Sequence, residues 1–380
     1  MKRRYFDWAA TAPPMSPALP AGNVPFGNPS SRHTEGRLAR EALEEARRRC
    51  AGALGVPPET LCFTSGGTES NVLALHSLLV KQGRAAGFPL LYSAVEHPSV
   101  RENALRLERL GLPSGEIAVE PDGRVSERTL GAALAKHGKP RLAAIMAVNN
   151  ETGAVMDLPR LVPLLRGADG PPAHIHSDLV QAAGKIPLEL RAWDLDSASL
   201  SAHKLRGPRG IGLLYLRKPL EPLAAGGGQE GGLRPGTENV VGALALADCL
   251  EALLPHAGAE YRLAAARAAA LIAALKGMER CVIIPAGREA EDSRFSPYIL
   301  QAAFRGIPGE VMVRALDDAG FAVSTGSACA SRSKQRPVLA AMGLDPGLGF
   351  EGIRISQGWT VTMDDVAALI EAIRGILRVL

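Results

Sequence analysis

Residues 197–217 read SASLSAHKLRGPRGIGLLYLR, two short runs on either side of a polar turn that contains a lysine. Each run has the length and composition of a buried β-strand. In an open α/β sheet, the residues just after the carboxyl end of a strand line the ligand site, and here they are Ser201, His203 and Lys204. The lysine is either solvated surface charge, since two arginines follow it, or a nucleophile whose pKa is lowered by its surroundings.

The same alternation of short apolar runs and helical stretches extends over most of the chain. Helical periodicity covers 34–54, 69–83 and 309–320, and a nearly continuous helix is predicted from about 240 to 278. The other apolar runs that read as strands are TLCFTS, PLLYSAVE, RLAAIMAVNNE and AHIHSD. Because these strands are apolar throughout and alternate with helices, the sequence predicts an α/β fold with a mainly parallel sheet flanked by helices.

The length of 380 residues suits one large domain and one smaller domain. We expect the large, ligand-binding domain to cover residues 15–250. Residues 1–14 and 251–380 would then form a smaller α+β domain, with the long helix after residue 240 leading the chain out of the large domain.

Composition excludes several classes of protein. The 43 basic and 39 acidic residues leave a net charge of +4, which predicts neither a nucleic-acid partner nor an acidic membrane surface. No run reaches the ~18 uninterrupted apolar residues of a membrane span, so we expect a cytoplasmic protein. The cysteines are odd in number, scattered and without a C-x-x-C pair, which argues against a disulfide framework or a zinc site. They are Cys50, Cys62, Cys249, Cys281 and Cys329.

The segment 64–70, TSGGTES, joins a predicted strand to a predicted helix through two glycines. Backbone N–H groups and the helix dipole at such a junction bind anions, and the Thr68 hydroxyl could assist. The alternative is a capping box, in which Ser65 or Thr68 only starts the helix.

Other polar residues also follow strands. His97 and the pair Asn149 and Asn150 are either turn residues or part of a site. Asp178 either forms a structural salt bridge or holds a proton on a heterocyclic nitrogen. Five such strand ends along one sheet favour a single site, in which Lys204 would form a Schiff base with an aldehyde.

These motifs resemble those of the pyridoxal-phosphate-dependent cysteine desulfurases, class V aminotransferases of fold type I. The resemblance covers almost the whole chain. It is carried by YFDWAATAPP, GNPSSRHTEGR, FTSGGTESN, EHPSV, NNETG, SDLVQAAGK, SAHKLRGPRG, GGGQEGGLRPGTEN, STGSACAS and GIRIS.

The resemblance implies pyridoxal 5'-phosphate as the cofactor, with Lys204 as its Schiff-base lysine and Asp178 beside its pyridine nitrogen. His97 would stack on the ring and handle protons. The family also implies a homodimer, in which Thr237 of the glycine-rich loop 226–239 reaches the neighbouring subunit's phosphate. The remaining implied cofactor contacts are Gln181 and Asn150 near the phenolic oxygen, and Gly67, Thr68, Ser201 and His203 at the phosphate.

The resemblance implies L-cysteine as the substrate. Arg354 would clamp its carboxylate, with Asn28 and Asn150 also near the substrate. Cys329 resembles the catalytic cysteine of family members with an extended catalytic loop. The implied reaction releases L-alanine and leaves a persulfide on Cys329, for delivery to an acceptor such as an iron–sulfur scaffold or a tRNA-thiolating protein.

Three positions depart from the usual pattern: Trp8, Ser177 and Gly231. Trp8 and Gly231 could alter the rim of the substrate pocket or the partner surface. A selenocysteine lyase, or another class V enzyme acting on a related amino acid, is the alternative enzyme, although Cys329 favours desulfuration. A non-enzymatic RNA-binding scaffold would need a broad basic face with interleaved aromatics, and the aromatic content is 4%.

Overall fold

The computed structural model describes residues 3–15, 24–80, 89–167, 173–326 and 336–380. The strands in this part of the chain are β1 (Arg4–Tyr5), β2 (Leu61–Thr64), β3 (Leu90–Ser93), β4 (Ser114–Ile117), β5 (Leu142–Ala144), β6 (His174–Asp178), β7 (Ser197–Ser201), β8 (Gly212–Leu216), β9 (Cys281–Ile284), β10 (Ile299–Phe304), β11 (Phe321–Ala322) and β12 (Gly352–Ser356). The helices are α1 (Thr34–Leu54), α2 (Gly67–Val80), α3 (Pro98–Arg109), α4 (Glu127–His137), α5 (Leu158–Gly167), α6 (Val240–Leu253), α7 (Ala257–Lys276), α8 (Gly309–Asp318), α9 (Pro337–Ala341), α10 (Pro346–Phe350) and α11 (Met363–Val379).

A seven-stranded sheet dominates the fold, in the order β2-β8-β7-β6-β5-β3-β4. The pairs from β7 to β4 are all parallel, and only β8 runs antiparallel to its neighbours. The predicted α/β fold with a mainly parallel sheet is therefore confirmed. The antiparallel β8 follows β7 through a short turn that contains Lys204, so no crossover helix separates these two strands.

Helices cover both faces of this sheet. Leu91 and Ala143 pack into one core with α1 and α6, whereas Leu90 and Leu142 pack into a second core with α2 and α3. Alternate residues of a strand point to opposite faces, so strands buried on both faces are apolar at every position. This burial accounts for the unbroken apolar runs in the sequence.

A second, smaller layer is built from the two ends of the chain. β9, β10 and β12 form an antiparallel sheet, and β1 pairs in parallel with β11. A separate apolar cluster joins residues 6–12 to residues 271–373. This arrangement agrees with an additional α+β unit, and the exact boundaries at residues 14 and 250 stay a prediction.

Two of the sequence departures lie in well-packed surroundings. Trp8 is 2% exposed and packs in the smaller core against Gly358, so it does not lie at the rim of a pocket. Ser177 is buried in β6, and its hydroxyl donates to the carbonyl of Ile145 at 2.7 Å. The hydroxyl is therefore accommodated within the sheet.

The long predicted helix after residue 240 is two helices. A short 3-10 turn, Leu254–His256, separates α6 from α7 and contains Pro255, which cannot donate a backbone hydrogen bond. By length and composition alone, the stretch Val240–Lys276 could cross a membrane, but half of its most apolar window is buried within the fold. α6 packs against α1 in the core, as the inner helix of a folded domain does.

Candidate active site

A cavity of about 450 Å³ lies at the carboxyl ends of β6 and β7 and at the start of α2. This is the edge of the sheet at which the sequence placed a site. Ten of the predicted site residues line it: Gly67, Thr68, His97, Asn150, Asp178, Gln181, Ser201, His203, Lys204 and Arg354.

The start of α2 forms one end of the cavity. A Cβ atom on Gly67 would lie 2.5 Å from Cγ2 of Val180, so a side chain does not fit there. The first-turn N–H groups of a helix are without intrahelical partners, and with the neighbouring Ser201 hydroxyl they can bind an anion. His203 also lines the cavity, and burial, followed by the charges of Lys204 and Arg209, lowers its pKa to about 4.

Asp178 ends β6 and is 5% exposed. Its carboxylate accepts hydrogen bonds from Asn71 Nδ2 at 2.8 Å and from the backbone N–H of Val180 at 2.9 Å. Among the described residues, no lysine or arginine forms an ion pair with it. The structural salt bridge considered from the sequence is therefore not found there, and the carboxylate is free to pair with a cationic group in the cavity.

A chain of hydrogen bonds fixes the proton on His97. Its Nδ1 accepts from the backbone N–H of Ser99 at 3.1 Å and lies 2.7 Å from the Ser99 hydroxyl. Since Nδ1 is the acceptor, the neutral ring carries its proton on Nε2. The same hydroxyl accepts from Asn71, so Asn71 connects His97 to Asp178. Burial is the main cause of the lowered pKa of His97.

Lys204 lies in the short turn after β7. Its Nζ donates to the carbonyls of Ala9 at 2.5 Å and Ala10 at 2.7 Å. Burial, and then the nearby Arg354 guanidinium, lower the pKa of Lys204 to about 8. An amine with this pKa is partly unprotonated near neutral pH and is a competent nucleophile or base.

Arg354 on β12 reaches the cavity from the smaller sheet and is 1% exposed. Nη1 donates to the carbonyl of Asn150 at 2.9 Å, and Nη2 pairs with Asp7 Oδ1 at 2.9 Å. Nε is buried and has no hydrogen-bond partner among the described residues. The guanidinium therefore keeps donors available for an anionic ligand.

Three predicted site residues are not in the described wall of the cavity. Asn28 is exposed beside the start of α1, where its side chain accepts from the N–H of Ser30. Thr237 is exposed on the glycine-rich loop. Cys329 lies outside the described residues, so its place relative to the cavity stays a prediction.

Sequence reasoning missed several residues that hold this site together. Asp7, Asn71, Ser99 and Lys185 each contact a predicted site residue. Asp7, Asn71 and Lys185 lie inside the quoted motifs YFDWAATAPP, FTSGGTESN and SDLVQAAGK, and Ser99 lies in EHPSV. Their polarity was visible in the sequence, but their partners are distant along the chain.

Comparisons with known proteins show the family to which the chain belongs. The model of the aminotransferase class-V family matches residues 4–369. A NifS/IcsS protein homolog of Lactobacillus delbrueckii subsp. bulgaricus is 36% identical, over 97% of this chain and 95% of its own. A cysteine desulfurase of Cereibacter sphaeroides is 37% identical, over 98% of this chain and 95% of its own. A solved NifS-like protein superposes with a TM-score of 0.88 at 30% identity and covers 100% of both chains.

One cavity on a mainly parallel sheet thus brings together a buried lysine, a buried carboxylate with no ion-pair partner among the described residues, and the start of a helix. The match over residues 4–369 shows that the chain belongs to the aminotransferase class-V family of enzymes. Within the family, it belongs with the NifS- and IscS-like cysteine desulfurases.

Proposed function

We propose that this protein is a pyridoxal-phosphate-dependent cysteine desulfurase, which converts L-cysteine to L-alanine and transfers the sulfur to Cys329. The observation that carries the proposal is the pairing of Lys204, whose pKa is lowered to about 8, with Asp178, a carboxylate without a cationic partner among the described residues, in one cavity. The names of the curated relatives support the choice of substrate.

The cavity fits pyridoxal 5'-phosphate in three respects. The start of α2, whose Gly67 and Thr68 line the cavity, suits the phosphate, together with Ser201 and His203. The Asp178 carboxylate suits a protonated ring nitrogen. Lys204 suits the aldehyde carbon, and Gln181 and Asn150 would approach the phenolic oxygen.

When bound, the cofactor supplies an electron sink for the pair released from the substrate's Cα–H bond. The chain's own residues bind and orient the reactants. Arg354 binds the substrate carboxylate through its free N–H groups. The Lys204 amine would remove the α-proton, and the Asp178 carboxylate would stabilise a proton on the ring nitrogen. His97, whose neutral ring carries its proton on Nε2, would handle protons beside the ring.

Sulfur transfer is assigned to Cys329. Its thiolate attacks the sulfur of the substrate, so that a new S–S bond forms as the substrate's Cβ–S bond breaks. The electron pair of the broken bond stays with the carbon fragment, which takes up a proton and leaves as alanine. The enzyme keeps the persulfide, and no external oxidant or reductant is needed for this half of the cycle.

We further propose a homodimer and a protein acceptor, such as an iron–sulfur scaffold, for the persulfide sulfur. The exposure of Thr237 suits a residue that acts at a neighbouring subunit's site. Two ion pairs hold the loop that carries Thr237 against the helices. Glu230 pairs with Arg47 on α1, and Arg234 pairs with Glu69 on α2.

The test is product analysis with purified protein, added pyridoxal phosphate, L-cysteine and a thiol reductant. Wild type should yield alanine and sulfide in equal amounts, Cys329→Ala should yield neither, and Cys281→Ala on β9 serves as the matched control with wild-type yields. Bound cofactor without either product would contradict the desulfurase assignment. Turnover of selenocysteine alone would establish the lyase alternative instead.

A further inference from the structure

We propose that Lys185 is a positioning residue that fixes the side-chain amide of Gln181, so that an N–H of Gln181, and not its oxygen, faces the cofactor cavity. This inference rests on the cofactor of the proposed function and concerns residues that neither the family match nor the relatives' names assign. Lys185 does not line the cavity and acts through Gln181.

The contact that carries the inference is short and buried. Lys185 is 4% exposed, and its Nζ donates to Oε1 of Gln181 at 2.6 Å. Gly184, with a φ of +67°, makes the tight turn between the two residues, a conformation that favours glycine. Within the described ranges, no carboxylate pairs with Lys185, although a buried charge ordinarily has such a partner. The buried Nζ of Lys185 therefore binds the amide of Gln181 and does not form a salt bridge with a described residue.

Hydrogen-bond chemistry then decides the orientation of the amide. A lysine side chain donates through its N–H groups, so the atom of Gln181 that faces it is the oxygen. Burial, followed by the charge of Lys204, lowers the pKa of Lys185 to about 7. The ammonium can only donate, and the neutral amine keeps two N–H donors but also has a lone pair, so above neutral pH the orientation depends on the other end of the amide as well.

The other end of the amide is fixed as well. Nε2 of Gln181 donates to the carbonyl of Ala9 at 2.9 Å, and the same carbonyl accepts from Lys204 at 2.5 Å. A flipped amide would set its oxygen against this carbonyl oxygen and its N–H groups against Lys185. One N–H of Nε2 thus remains for the cavity, where Gln181 lies in the wall beside Lys204.

The experiment is an absorbance titration of the holoenzyme against pH. Loss of an N–H donor makes the phenolic oxygen of the cofactor more basic, so Gln181→Leu should raise the pH midpoint of the cofactor band by about one unit, a tenfold change in the proton equilibrium. Lys185→Met should raise it by a similar amount. In the Gln181→Leu background, Lys185→Met should add no further shift, because its effect passes through the amide.

Two further variants keep the test decisive. Lys139→Met, another buried lysine whose Nζ donates to the carbonyl of Arg166, is the matched control and should leave the midpoint unchanged. Lys185→Gln keeps an N–H donor in a similar volume and carries the test if the methionine variant does not fold. Its midpoint should stay within about 0.3 units of wild type, a factor of two in the equilibrium.

A wild-type midpoint in Lys185→Met, a further shift in the double variant, or a shift in Lys185→Gln as large as that of Gln181→Leu would each overturn the positioning role. Absence of a bound-cofactor band in wild type would overturn it together with the cofactor assignment. A wild type that shows the expected band and shifts but forms no alanine would overturn the proposed reaction alone.

Discussion

At the residue scale, the charge on Lys204 is set by a few neighbours of opposite effect. Burial and Arg354 lower its pKa, whereas the carboxylates of Asp7 and Asp178 raise it. Asp7 also pairs directly with Arg354, so one carboxylate acts on two of the cations that line the cavity, Lys204 and Arg354. Lys204 therefore titrates near pH 8, where a small change in local charge alters the fraction of free amine.

Asp7→Asn should lower the pKa of Lys204 below its value of about 8, because it removes a carboxylate that stabilises the ammonium. The expected decrease is about half a unit, typical of a partly screened charge a short distance away. The measurement is the pH dependence of Lys204 modification in cofactor-free protein, read by peptide mass spectrometry.

Asp317→Asn is the control for this prediction, since Asp317 is exposed and pairs with Arg3 away from the cavity. It should leave the midpoint for Lys204 where wild type has it. A midpoint that rises in Asp7→Asn would contradict the electrostatic account of this carboxylate.

At the element scale, the glycine-rich loop is attached to α1 by a buried ion pair. Arg47 donates to Glu230 through two N–H groups, at 2.8 and 2.9 Å, and the Glu230 side chain is 1% exposed. Glu230 also accepts from the backbone N–H of Phe63 on β2. The loop is thereby held against both a helix and an edge strand, which leaves Thr237 exposed at a fixed place.

Glu230→Gln should destabilise the protein by about 3 kcal/mol, since it removes the buried carboxylate of the pair and leaves Arg47 only the half-exposed Glu44 as an acidic partner. Urea unfolding of the variant gives this difference, and sedimentation shows whether the loss of the anchor also weakens the proposed dimer. Glu45→Gln on α1 breaks only an exposed pair with Arg48 and should change stability by less than about 1 kcal/mol. Equal effects of the two substitutions would be incompatible with this role of Glu230.

At the scale of the whole molecule, Arg288 connects the two layers. It is 2% exposed and donates to the carbonyl of Thr152, in the turn after Asn150, and to the carbonyls of Ser296 and Ile299 beside β10. Burial lowers its pKa to about 10, so the side chain stays charged at neutral pH. The Arg288 guanidinium thus donates hydrogen bonds to three carbonyls, and these carbonyls belong to both layers.

Arg288→Met should lower stability by about 3 kcal/mol or more, since three buried carbonyls lose a donor at about 1 kcal/mol or more each. Desulfurase activity should fall further than the loss of folded protein explains, because the turn that presents Asn150 loses its anchor. Arg294→Met is the control, since Arg294 also lies over the Phe295 ring but is half exposed. Equal losses of stability and activity in Arg288→Met and Arg294→Met would contradict the role assigned to the hydrogen bonds between the layers.

Much of this arrangement was predictable from the sequence, for a physical reason. Runs such as SASLS are buried on both faces, so their pattern alone indicates a parallel sheet, and the residues after each strand converge at one edge. Contacts between distant segments were not predictable. Nothing local indicates that Asp7 meets Arg354, that Lys185 turns back on Gln181, or that β8 reverses direction beside β7.

The cavity is completed by residues from opposite ends of the chain, and this has a consequence for biosynthesis. Asp7 and Arg354 are separated by 347 positions, so at about 5–20 residues per second a ribosome needs roughly 20–70 s to make the second after the first. From the synthesis of Lys204 until that of Phe321, the nascent chain contains Lys204 and Asp178 but lacks both Arg354 and β11, the strand partner of β1. A polypeptide released early can therefore build the large sheet and still be unable to hold an amino-acid carboxylate.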